Sequence, residues 1–150
     1  MNQPLMQPTI ARTVSEGDAV ALSYAQEQLC FLQKLEPGLT AYNLPRVFRL
    51  AGRLDVDALE RAFRALIARH AVLRTRFFEQ DGVPMQSVQV DAPFALERID
   101  LSGLNAEAQK APLDEAVRRA AGHVFDLGAA PALVACLVKL GDERHVLAVC

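Results

Sequence analysis

The stretch Arg69-His70-Ala71-Val72-Leu73-Arg74-Thr75-Arg76-Phe77 crowds three guanidinium groups and an imidazole among apolar residues. A guanidinium held in such surroundings needs a carboxylate or carbonyl, because an unpaired buried charge costs on the order of several kcal/mol. Arg69 and Arg74, flanked by Ile67, Val72, Leu73 and Phe77, are the candidates for partial burial, and the nearby sequence offers them no obvious carboxylate. Arg76 reads as surface charge. His70 sits at a helix end, where a lone histidine reads as a structural hydrogen-bonder, since a general base needs a located partner.

No other grouping assembles a catalytic constellation. His70, His123 and His145 are far apart, and none neighbours a pair of carboxylates. Ser15, Ser23, Ser87 and Ser102 lie outside any Gly-x-Ser-x-Gly elbow, and no glycine-rich phosphate loop is present. Cys30, Cys136 and Cys150 are widely spaced, with no Cys-x-x-Cys pair or Cys/His cluster to hold a metal. Each lies in an apolar run, where a thiol behaves as a small hydrophobe. Spacing alone therefore assigns no catalytic residue and no metal site.

The elements that would position these groups follow from periodicity and punctuation. Residues 1 to 21 read as a flexible lead-in, with Pro4, Pro8 and Gly17 and no apolar period. Ser23 and Gln26 have the spacing of a capping box that starts a helix, and Pro37-Gly38 stops it. A strand is expected over Pro45 to Ala51. Asp55 then caps a second helix with Val56, Leu59, Phe63, Leu66 and Ile67 on one face. From Leu73 the period changes to two, and Asp81-Gly82 signals a hairpin turn. Further strands are expected over Met85 to Val90 and Phe94 to Leu101, and a third helix over Pro112 to His123 with the proline in its first turn. Ala132 to Leu140 is apolar enough to be a strand buried on both faces, and His145 to Cys150 its return. Mixed helices and strands with hairpins indicate α+β layers.

Composition narrows the function classes. The 150 residues are 51% hydrophobic and 23% charged, as in a globular domain, and 18 acidic against 16 basic residues leave a net charge of −2. That balance gives no basic field for nucleic acid and no anchor for a lipid surface. No run is long enough to span a bilayer, and the first residues lack the apolar segment of a signal peptide. Three unpaired cysteines fit a reducing, cytoplasmic setting. The chain ends at Cys150 inside an apparent core strand, so the expectation is of a truncated chain.

Five segments in order carry a resemblance. They are Ser23, Ala25 and Gln26; Ala41-Tyr42-Asn43-Leu44-Pro45; Leu50-Ala51-Gly52-Arg53-Leu54 with Ala58-Leu59; Arg69, His70, Leu73, Arg74, Thr75 and Phe77; and Phe125-Asp126-Leu127 with Pro131 to Leu137. Together they resemble the opening of condensation domains of nonribosomal peptide synthetases, from about Leu22 to Cys150. Ala71 stands where that family has a glutamate, and Gln28 and Cys30 where it has an arginine and an aromatic residue.

The resemblance implies an α+β fold, the first lobe of a chloramphenicol acetyltransferase-like structure, truncated before the catalytic motif. In the family a His-His-x-x-x-Asp-Gly motif follows a strand like His145 to Cys150. Its second histidine assists attack of an amine on a thioester-bound acyl group. Both substrates arrive on phosphopantetheine arms of carrier domains, fed by an adenylation domain, through a tunnel completed by a C-terminal lobe, with no cofactor bound directly. By position Arg74, Arg69 and His70 would line that tunnel or support it, and Ser23 and Gln26 would be structural. The chain alone would be inactive. A stand-alone acyltransferase of the same superfamily and a non-catalytic carrier-binding module are the competing readings.

Overall fold

A computed structural model describes residues 17–150. The elements are β1 (Val20–Ala21), α1 (Tyr24–Leu35), β2 (Arg46–Ala51), α2 (Val56–Arg69), a short 3₁₀ turn (Ala71–Arg74), β3 (Thr75–Gln80), β4 (Val83–Val88), β5 (Glu97–Asp100), α3 (Ala106–Ala121), β6 (Ala135–Gly141) and β7 (Arg144–Val149). Four strands form one sheet in the order β2-β7-β6-β5, antiparallel except for the parallel β5–β6 pair. The smaller sheet has the order β1-β4-β3 and is antiparallel throughout.

The four-stranded sheet is covered on both faces, which explains the unbroken apolar run of β6. On one side Cys136, Val138, Val146 and Ala148 pack against Ala116 and Ala120 of α3. On the other, Leu137 and Leu147 meet Val56, Leu59 and Phe63 of α2, the stripe that the period of 3.6 picks out. Val138 is 0% exposed and Cys136 1%.

Several boundaries differ from expectation for identifiable reasons. Of the lead-in, residues 1–16 lie outside the described residues, while Val20 and Ala21 pair with Gln86 and Met85 as strand β1. The stretch after α2 makes a 3₁₀ turn before becoming a strand, fastened by the Thr75 hydroxyl donating to Ala71 O at 3.0 Å. The hairpin turn falls as expected: Asp81 (φ 52°) and Gly82 (φ 77°) both take the left-handed conformation that a two-residue turn demands. The strand expected over Phe94 to Leu101 shrinks to Glu97–Asp100.

Helix α3 begins six residues before Pro112, so the proline lies inside the helix and not in its first turn. Asn105 is the cap, its Oδ1 accepting from Ala108 N at 2.9 Å. The stretch from Ala106 to Ala111 lacks large apolar residues and shows no period, yet Gln109 fixes it. The Gln109 amide donates to Leu101 O, Leu104 O and Leu140 O, each at 3.0 Å.

Candidate functional site

The first block of interest builds a joint. Ser23 N donates to Gln26 Oε1 at 2.8 Å and Gln26 N to Ser23 Oγ at 3.4 Å, a reciprocal cap on α1. The same Gln26 amide pairs face to face with Gln86 of β4, at 3.0 and 3.1 Å, and Gln86 also donates to Ala21 O at 3.3 Å. Ser23 and Gln26 thus tie α1 to the small sheet. The cap is readable from spacing; Gln86, sixty residues away, carries no signal.

The second block is split by the structure. Arg69 closes α2, and His70 follows as its cap through a backbone N–H to Leu66 O at 3.0 Å, with no side-chain cap bond; both side chains are exposed. Arg74 turns inward and is 8% exposed. Its Nη1 donates to Gln89 O and, at 3.5 Å, to Val90 O, while Gln89 N donates back to Arg74 O at 2.8 Å. The backbone of the strand-exit segment therefore supplies the acceptors that the sequence could not name. Arg69, His70 and Arg74 do not converge on one site. Arg76 is exposed, as its surface reading requires, with its guanidinium 4.9 Å above the Phe78 ring and Nε on Ser87 Oγ.

Polar and apolar features do converge at the far end of β7. Val134 and Cys150 exchange backbone bonds, N to O, of 2.9 and 3.0 Å. Asn43 Nδ2 donates to Ala121 O and His123 O, both at 2.9 Å, pinning the loop before β2 to the C-terminus of α3. The Cys150 thiol faces Ala121 O at 4.0 Å; burial pushes it up, and the Leu44 backbone N–H opposes that. Leu29, Tyr42, Leu44, Phe125, Leu127 and Cys150 enclose an apolar cavity of about 260 Å³ there. A larger cavity of about 450 Å³ lies between α1 and β3, walled by Leu22, Cys30, Phe77, Phe78 and Val124, with the Lys34–Glu79 ion pair at its rim. Gln33, Phe125 and Leu127 border both and form the partition between them. Apolar cavities of this size with a few placed polar groups are the usual form of a small-molecule site.

The chemistry available is passive. Burial raises the thiols of Cys30 and Cys150, and it pushes Cys136 up to about 11 with further help from the Glu97 carboxylate, so none is a ready thiolate nucleophile. Among the described residues no three His, Cys, Asp or Glu side chains group to hold a metal ion. His145 is buried at the opposite end of β7, its Nδ1 without a partner among the described residues, and His123 rests edge-on against Phe125. Sequence reasoning misses Asn43, Gln33 and Leu44 as site residues. Asn43 lies in one of the motif segments, but nothing in its spacing points to α3, nearly eighty residues on.

Comparison with known proteins gives this architecture its context. The condensation domain family matches residues 16–150. Chondramide synthase cmdD of Chondromyces crocatus is 39% identical over 136 residues, which are 91% of this chain and 4% of that protein. The first condensation domain of the calcium-dependent antibiotic synthetase, solved in complex with a substrate analogue, superposes with a TM-score of 0.75 at 26% identity, over 88% of this chain and 32% of that one. The starter condensation domain of rhizomide synthetase RzmA shares the fold, with a TM-score of 0.77 at 23% identity, 88% of this chain and 32% of that one. The chain thus spans a small fraction of the curated synthase and about a third of the solved domains. With the match running along nearly all of its length, the chain belongs to the condensation domain family, as an N-terminal part of such a domain.

Proposed function

We propose that this chain supplies the first lobe of a domain that joins an acyl or peptidyl thioester to an aminoacyl thioester through an amide bond. The amine nitrogen attacks the thioester carbonyl, the C–N bond forms, the C–S bond breaks, and the donor carrier's thiol leaves. The observation that carries the reading is the family match over residues 16–150 on a fold whose β7 ends against an apolar cavity. Within it, the described residues act as architecture: the apolar wall near Cys150 excludes water from a reactive thioester, and Arg74 braces the small sheet that carries one side of the larger cavity. The reacting histidine belongs to the His-His-x-x-x-Asp-Gly motif expected after this strand.

The partners of this reading are carrier domains bearing phosphopantetheine, an adenylation domain and a C-terminal lobe, with no cofactor held by the chain itself and a cytoplasmic setting. No helix among the described residues is long and apolar enough to cross a membrane. In this reading Arg69 and His70, both exposed, line the substrate tunnel or support it, and Ser23 and Gln26 are structural. The test is to load the full-length protein's donor and acceptor carriers and follow the acceptor by mass spectrometry. Transfer of the acyl group to the acceptor amine is expected. Transfer to a free amine or alcohol from coenzyme A, with no carrier dependence, would favour the stand-alone acyltransferase instead.

A further inference from the structure

Two side-chain amides grip α3, one at each end, and only one of them reaches the end of β7. Gln109 serves the first turn, far from the cavities. Asn43 serves the last turn and spends its amide donors on Ala121 O and His123 O. Its own loop is a tight one, with Asn43 N donating to Thr40 O at 3.0 Å. Three residues later the chain enters β2, where Arg46 pairs with Val149. Between them, Leu44 lines the same cavity as the Cys150 thiol, and that thiol faces Ala121 O, an acceptor that Asn43 also holds. The Cys150 backbone is meanwhile locked to Val134. Cys150 is therefore bordered on three sides, by the Asn43 loop, by the α3 C-terminus and by the lead into β6, and Asn43 is the group that links the first two.

We infer that Asn43 is a positioning residue: it sets the direction in which the backbone leaves β7 and so aims the reacting histidine at the apolar cavity. This rests on the proposed function, in which that histidine follows the strand. The physical requirement is strict, since displacement of a reacting group by about 1 Å can cost on the order of a hundredfold in rate. Replacing Asn43 by aspartate keeps the shape but sets a carboxylate against two carbonyl oxygens, and the loop must withdraw from α3. Serine keeps one donor and falls between.

The experiment uses the full-length protein with donor and acceptor carriers loaded, and it measures two things: the amide-forming rate, and alkylation of Cys150 by iodoacetamide followed by peptide mass spectrometry. Asn43→Asp is expected to lower the rate constant by about tenfold to a hundredfold, to leave the half-saturating carrier concentrations unchanged, and to speed Cys150 alkylation several-fold, with Asn43→Ser intermediate. Val117→Ala, which loosens α3 through its packing on the core, serves as the control for mere destabilisation and is expected to change neither readout by more than twofold. Unchanged rate and alkylation in Asn43→Asp would overturn the inference, as would an equal effect in Val117→Ala. If the unsubstituted protein makes no amide, the proposed function fails instead, and the alkylation comparison still decides the role of Asn43.

Discussion

The four-stranded sheet and the α1 region solve stability in opposite ways. The sheet is closed by burial: Cys136, Leu137, Val138 and Ala148 are each at most 3% exposed, and two helices cover its faces. Helix α1 has no buried residue at all, and Tyr24, Phe31 and Leu35 are 76%, 61% and 66% exposed along one side of it. What fastens α1 is polar: the Ser23–Gln26 box, the Gln26–Gln86 amide pair, Lys34 on Glu79 and Gln33 on Phe125 O. Apolar burial is cohesive and leaves no room, whereas a few directional bonds hold a helix at a distance and leave the cavities beneath it open. The tight region is scaffold, and the loose one holds the two cavities.

That contrast breaks if truncations in the two regions cost the same. Leu137→Ala is expected to destabilise the chain by about 3 kcal/mol, the transfer term plus a cavity that two packed faces cannot collapse. Urea unfolding followed by circular dichroism reads it, and a loss under about 1 kcal/mol would mean that the sheet is less tightly packed than its burial implies. The amides give the next test. Gln109→Leu removes three bonds, one of them buried, leaving Leu104 O without its donor while Leu101 O keeps Leu104 N and Leu140 O keeps Arg144, and should cost about 2 kcal/mol. Gln26→Leu, whose bonds are half open to water, should cost about 1 kcal/mol by the same scale. Equal losses would remove the distinction between a closed and an open region.

Alkaline pH sharpens the comparison chemically. The Cys136 thiol, on the sheet's α3 face, is pushed up from 9.0 to about 11, mainly by burial. A folded-state value raised above the unfolded one means that stability is fully present below pH 9 and declines as pH rises through about 11, because only the unfolded chain gives up the proton at first. Melting temperature should fall over that window, and Cys136→Ala should flatten the slope. An identical slope would show that water already reaches the thiol.

Most of the scaffold is legible in the sequence because its cues are local. The stripe from Val56 to Ile67, the capping spacing of Ser23 and Gln26, the Asp81-Gly82 turn and the apolar run of β6 each declare themselves within a dozen residues. The α3 start is not legible, because Pro112 imitates an opening signal and the true cap, Asn105, precedes six residues without a large apolar side chain. The family is legible from ordered motifs, but the candidate site is not. Arg74 donates through Nη1 to backbone carbonyls, which have no residue identity to read, and Asn43 acts on α3 across 78 and 80 positions. Long-range side-chain-to-backbone bonds leave no spacing signature at either end.

The smallest effect on stability tests the open side most directly. Phe31 and Leu35 lie four residues apart on α1 and are both more than half exposed, so they rest on no core that their removal could vacate. The double substitution Phe31→Ser with Leu35→Ser should shift unfolding by no more than about 0.5 kcal/mol, the range of surface changes away from special features. Association should respond instead. Contiguous apolar patches drive contacts between molecules, so sedimentation at rising concentration should show a more monomeric chain after substitution than before. A large stability loss would place these side chains in a core formed in solution. No change in association would make α1 a bare surface, leaving the openness of its cavities as the only functional mark of the loose region.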